Sequence, residues 1–186
     1  GVPAVEPIDE RVIGPPLLAT LTRLTGIHEP DRLDRIARAF KASYDADGVL
    51  QADPYPGLAV VLAGLAADRR RSFVVTNKRQ VPARTIALRL GIMPQLAGLY
   101  SLDTLTPPAV KKQVVVAHLL AEHGIVPQAA VLVGDSVEDA EAAAANDIRF
   151  IAATYGYGSP LSFTTVAPAA TLDRLGDLPR VLASLD

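Results

Sequence analysis

Residues 129–146 read AAVLVGDSVEDAEAAAAN, and this stretch decides the fold. The apolar run up to Gly134 fits a short strand buried on both faces. The part after Ser136 has the composition of a helix, with Glu138 and Asp139 in its first turn. A strand that passes directly into a helix is half of a crossover connection, and crossovers join parallel strands.

The same grammar recurs on either side. GLAVVLAGLAAD (57–68) reads as a helix, SFVVT (72–76) as a strand, and PARTIALRLG (82–91) as a helix closed by Gly91. A short strand is expected near 99–102. KKQVVVAHLLAEHG (111–124) is a helix capped by Gly124, RFIAATYG (149–156) a strand, and a last short strand and helix fall within 170–185. The fold class is therefore α/β, a Rossmann-like parallel sheet with helices on both faces. Upstream, Leu17–Leu24 forms a short amphipathic helix. Leu33, Ile36, Ala37, Phe40 and Tyr44 recur at helical spacing after Pro30. The expected organisation is a small helical unit over 1–53 and an α/β core over 54–186.

Hydrophobic residues make up 49 % of the 186, enough for a substantial core. The net charge of −2, with no long basic run, points to neither a nucleic-acid nor a membrane partner. The absence of cysteine excludes disulfides, thiolate metal sites and a cysteine nucleophile. No stretch is long enough to span a bilayer. The opening GVPAVEPIDE is acidic and proline-rich, unlike a signal peptide, so a cytoplasmic location is the expectation. There is no glycine-rich nucleotide loop and no serine elbow. His28, His118 and His123 are scattered, as surface or boundary residues would be.

In a parallel sheet the strand ends carry the ligand chemistry. The strand ending at Thr76 continues into Asn77 and Lys78, whose hydroxyl and amides suit a phosphoryl oxygen; a turn or helix cap is the alternative. Asp135 leaves the next candidate strand, and Asp139 follows one helical turn later. Two carboxylates at one crevice suit a hard cation such as Mg2+, while helix capping is the plainer reading. Lys111 and Lys112 open the intervening helix, where lysine is electrostatically disfavoured. A buried phosphate or carboxylate partner would justify one of them.

Threonine at one strand end, then lysine, then GDSxxD, in that chain order, resembles the haloacid dehalogenase-like hydrolases, and most closely the phosphoglycolate-phosphatase-like members with a helical cap. The resemblance covers nearly the whole chain. FVVTNKR resembles the family's second motif and VLVGDSVEDAEAAAANDI its fourth. VIGPPL (12–17), PYPG (54–57) and TYGYG (154–158) resemble segments of the same subgroup. Counting back from Gly124 places the third-motif lysine at Lys112 rather than Lys111. The resemblance implies that Thr76, Asn77 and Lys112 grip the phosphoryl group, that Asp135 and Asp139 hold Mg2+, and that the cap excludes water; Gly14-Pro15-Pro16 either presents backbone to the site or serves as rigid packing within the cap. One departure is Asn146-Asp147-Ile148, where the family ends this helix with glycine.

The larger departure concerns the first motif, a strand ending in DxDGT that carries the nucleophilic aspartate. YDADGVL (44–50) is the sole candidate. It follows an amphipathic helix, lacks the threonine, and matches the stretch where the cap returns to the core. Asp45 and Asp47 are therefore expected to be solvated residues at a helix end, and the first-motif strand to lie upstream of Gly1. In the family that strand runs between those ending at Thr76 and Gly134. These two should then stand unpaired, about 9–10 Å apart.

The function implied is a Mg2+-dependent phosphomonoester hydrolase of a phosphoglycolate-like metabolite, working through an aspartyl phosphate, in a monomer or homodimer. The alternative is a non-catalytic phosphate- or Mg2+-binding module, or an inactive fragment, because the nucleophile is missing.

Overall fold

The structure, a computed structural model, describes residues 2–9, 12–13, 16–158 and 166–185. The chain divides into two compact units, Gly1–Ala52 and Asp53–Asp186.

The first unit is built on α1 (Leu17–Thr25) and α2 (Pro30–Ala46). Gly26 stops α1 by taking φ 66° and returning its N–H to the Thr22 carbonyl. Leu21, Leu24, Ile27 and Ala37 are buried. Pro30 opens α2, where its missing N–H has no intrahelical partner to lose. Phe40 and Tyr44, one turn apart, stack at 5.9 Å. Asp45 lies in the last turn of α2, and the Asp47 N–H closes that turn on Ser43. Both aspartates are exposed. YDADGVL is thus a helix end running into a 3-10 turn over Gly48–Gln51, with no strand before it. Of the Gly14-Pro15-Pro16 segment, Gly14 and Pro15 lie outside the described residues.

The second unit runs α3 (Leu58–Ala67), β1 (Phe73–Thr76), α4 (Gln80–Arg89), β2 (Gly98–Ser101), α5 (Lys112–Glu122), β3 (Val131–Gly134), α6 (Val137–Ala144), β4 (Arg149–Ala153), β5 (Ala170–Leu172) and α7 (Leu178–Ala183). All strand pairings are parallel. They form two pieces, β1–β2 and β3–β4–β5. Among the described residues β1 and β3 do not pair, so the sheet is interrupted between the two strands that lead to Thr76 and Asp135.

Strand alternation divides the core between two faces. Phe150 and Ala152 of β4 join Val115, Val116 and Leu119 of α5 and Ala140 and Ala143 of α6. Between them, Ile151 packs with Val61 of α3, Leu172 of β5 and Leu178 and Val181 of α7. Phe73 and Val75 of β1 and Tyr100 of β2 pack into the same α5–α6 cluster as Leu132 of β3. One helical layer therefore spans both sheet pieces. Burial of a side chain such as Ile151, fully shielded, contributes about 1.5–3 kcal/mol over leaving it in water. At the end of α6, Asp147 takes the left-handed conformation (φ 55°) in the place where glycine is usual, as a short polar residue can. Asn146 secures that turn by donating to the Gln113 and Ala142 carbonyls.

Candidate active site

Parallel register aligns the strand carboxyl ends within each sheet piece, where β1 ends at Thr76 in one, and β3 leads to Asp135 and β4 to Thr154 in the other. Thr76 Oγ1 accepts the Lys78 N–H at 3.1 Å, which closes a tight turn on the strand end. Asn77 Nδ2 donates to the Glu138 carboxylate. This bond ties the end of β1 to the first turn of α6 across the interruption in the sheet. A carboxylate only accepts, so Glu138 fixes the amide with Nδ2 towards itself. Asn77 Oδ1 is left buried without a partner among the described residues.

Lys112 is the first residue of α5, and its side chain is 9 % exposed. Its Nζ lies 2.6 Å from Asp139 Oδ1. Lys111, in the cap position, is exposed. Asp139 is itself buried. Its other oxygen accepts the Ser136 N–H at 3.1 Å and the Ser136 hydroxyl at 2.6 Å, while Ser136 Oγ accepts the Asp139 N–H at 3.2 Å. Ser136 and Asp139 are thus a capping pair for α6. The helix-cap reading and the charged-site reading of Asp139 are both realised, one by each oxygen. Gly134 is needed beside them, because a Cβ there would overlap the Asp139 side chain.

Asp135 turns a different way. Its Oδ2 accepts the backbone N–H groups of Tyr157 at 2.7 Å and Gly158 at 3.4 Å. Tyr55 and Tyr155 meet edge-on nearby, with ring centroids 4.7 Å apart. Burial pushes both phenols above their ordinary range. The neighbouring tyrosines (Tyr157 for Tyr55, Tyr55 for Tyr155) and the charge of Asp135 push the same way.

The structure therefore brings Lys112 and Asp139 into contact and sets Asn77 against the adjacent Glu138. Asp135 and Asp139 leave the same turn but are held by separate donors. No cluster of three or more metal-ligating side chains occurs among the described residues. Two carboxylates nevertheless suit Mg2+, which usually takes one or two of them and completes its shell with water and phosphate oxygens. Asp135 Oδ1 makes no hydrogen bond among the described residues, and Asp139 Oδ1 keeps a lone pair beyond Lys112. The donor set fits the ion. Sequence reasoning missed Glu138, the Ser136 cap and the loop over Asp135. TYGYG carried a signal for that loop, since alternate glycines mark close backbone approach.

A family model described as haloacid dehalogenase-like hydrolase matches residues 6–153. A phosphoglycolate phosphatase of Nitrosococcus oceani is 27 % identical over 165 residues, which covers 89 % of this chain and 73 % of that protein. The tyrosine-protein kinase PtkA of Mycobacterium tuberculosis is 32 % identical over 169 residues, 88 % of this chain. The chain spans 57 % of that relative's length. A haloacid dehalogenase-like family hydrolase of Streptococcus pneumoniae superposes with a TM-score of 0.83 at 23 % identity, covering 98 % of this chain and 84 % of that one, which shows a shared fold.

Proposed function

The chain belongs to the haloacid dehalogenase-like hydrolase family, and from that premise we propose that its protein is a Mg2+-dependent phosphomonoester hydrolase acting on a small phosphorylated acid of the phosphoglycolate kind. The observation that carries this reading is a lysine 2.6 Å from a buried carboxylate, on the edge where two strand ends supply Thr76 and Asp135. Lys112 offers its charge to the phosphoryl oxygens while Asp139 holds its ammonium in place. The Thr76 hydroxyl and the backbone amide of Asn77 add neutral donors. Asp135, through Oδ1, and Asp139 would hold Mg2+. When bound, the ion neutralises charge that builds on the transferring phosphoryl group.

In the family's chemistry the attacking group is an aspartate carboxylate. It forms an aspartyl phosphate as the alcohol leaves, and water then cleaves that intermediate. Asp45 and Asp47 take no part. A second reading is a phosphate- and Mg2+-binding module without catalysis. It is favoured because no strand stands between β1 and β3 among the described residues. Alone, this chain is expected to bind without hydrolysing.

Orthophosphate release by the whole protein from 2-phosphoglycolate, sugar phosphates and nucleoside monophosphates, with Mg2+ or with EDTA, tests the proposal. Metal-dependent release, fastest with a small acid, is expected. No release from any ester supports the binding module. Transfer to a tyrosine hydroxyl in place of water, the activity in the mycobacterial relative's name, would replace the hydrolase.

A further inference from the structure

We propose that the loop Thr154–Gly158 is a clamp that holds Asp135 as a one-oxygen metal ligand and thereby sets the site's preference for Mg2+ over Ca2+. The inference rests on Asp135 being a ligand, as proposed above, and adds what decides the ion. Three observations carry it. Asp135 Oδ2 receives two successive backbone amides, from Tyr157 at 2.7 Å and Gly158 at 3.4 Å. Both glycines of the loop are required by closeness to this one residue: a Cβ at Gly156 would overlap the Asp135 carboxylate, and one at Gly158 would overlap the Asp135 carbonyl oxygen. The base of the loop is anchored, with the Thr154 N–H on the Leu172 carbonyl at 3.0 Å and Thr154 Oγ1 on Asp173 Oδ1 at 2.6 Å. A turn whose only task is to leave β4 needs neither two amides aimed at one oxygen nor two glycines pressed on the same aspartate.

The consequence follows from the coordination habits of the two ions. Mg2+ demands near-octahedral geometry and takes carboxylates through one oxygen, whereas Ca2+ accepts more ligands and two-oxygen carboxylates. With Oδ2 committed to the amides, Asp135 has Oδ1 alone to give. Two-oxygen ligation would require at least one of the two amide bonds to break. Tyr157, Gly156 and Gly158 are in this sense positioning residues, acting through Asp135.

Calorimetric titration of the chain with Mg2+ and separately with Ca2+ tests the clamp, with circular dichroism to check that each variant folds. Tyr157→Pro removes the nearer donor, and Tyr157→Phe keeps it. Gly156→Ala and Gly158→Ala push the loop away and serve where the proline variant fails to fold. Tyr157→Phe should match the wild type. The other three should lose Mg2+ affinity by about 10–100-fold, the usual effect of removing a group that orients a ligand. Their Ca2+ affinity should fall less, so the Mg2+:Ca2+ preference shrinks. A merely structural lesion would lower both affinities together. If Asp135→Asn abolishes Mg2+ binding while the folded loop variants keep the wild-type preference, the clamp is wrong and the metal site stands. If Asp135→Asn binds Mg2+ as well as the wild type, the metal site itself is wrong and the clamp falls with it.

Discussion

Lys112 shows how much of the site a single position reveals. A lysine in the first turn of a helix opposes the helix dipole, and its side chain here is also 9 % exposed. Asp139 is what makes it tolerable. Removing one partner of a buried pair leaves an uncompensated charge, so Lys112→Met should destabilise the chain by about 3–5 kcal/mol in urea unfolding. Lys112→Met with Asp139→Leu should recover much of that loss, short of about 1 kcal/mol for the missing α6 cap. A double variant no more stable than the single one would show that the pair is not the source. Counting back from Gly124 along the motif it resembles picks Lys112 over Lys111, and Lys112 is the one that meets Asp139 while Lys111 is exposed. The engagement of Asp139 was not legible, because local spacing identifies a cap but cannot show a lysine 27 residues away arriving at the other oxygen of the same carboxylate. Glu138 was passed over for a similar reason: its partner Asn77 is 61 residues distant.

Among the elements, the apolar runs and their glycine stops placed the described α-helices and strands of the second unit, because each is short and punctuated, but not its short 3-10 turns. The boundaries moved where tertiary contacts act. Gln80, not Pro82, starts α4, since its N–H bonds Asp103 Oδ1 at 2.9 Å and its side chain bonds the Leu99 carbonyl at 3.0 Å. The interruption between β1 and β3 is a property of the elements too. Among the described residues β4 is paired on both sides, whereas β1 and β3 are each paired on one. Amide exchange in this chain should therefore be slower in β4 than in β1, with a difference of several orders of magnitude if opening of the β1–β2 piece is local. Equal protection of β1 and β4 would mean that β1 is covered on its second edge.

For the whole molecule, the order of chemistry along the chain, with threonine first, lysine next and acids last, was the strongest signal. Its later members meet in the structure, where Lys112 touches Asp139, and Asn77, next to Thr76, reaches Glu138. No helix among the described residues is long and apolar enough to cross a membrane. The substrate was less legible, because the groups that grip phosphate are the same for every phosphate ester. Catalysis is proposed to belong to the edge bearing Thr76, Lys112 and Asp135 and not to YDADGVL. Steady-state hydrolysis of 2-phosphoglycolate by the whole protein, compared with its Asp135→Asn and Asp45→Asn variants at saturating Mg2+, tests it most directly. Asp135→Asn should lower kcat/KM by about 10²-fold or more, the scale on which one electrostatic contact to a transition state is worth about 2.7–4 kcal/mol, and Asp45→Asn should leave it within about twofold. Loss of activity in Asp45→Asn with activity retained in Asp135→Asn would contradict it.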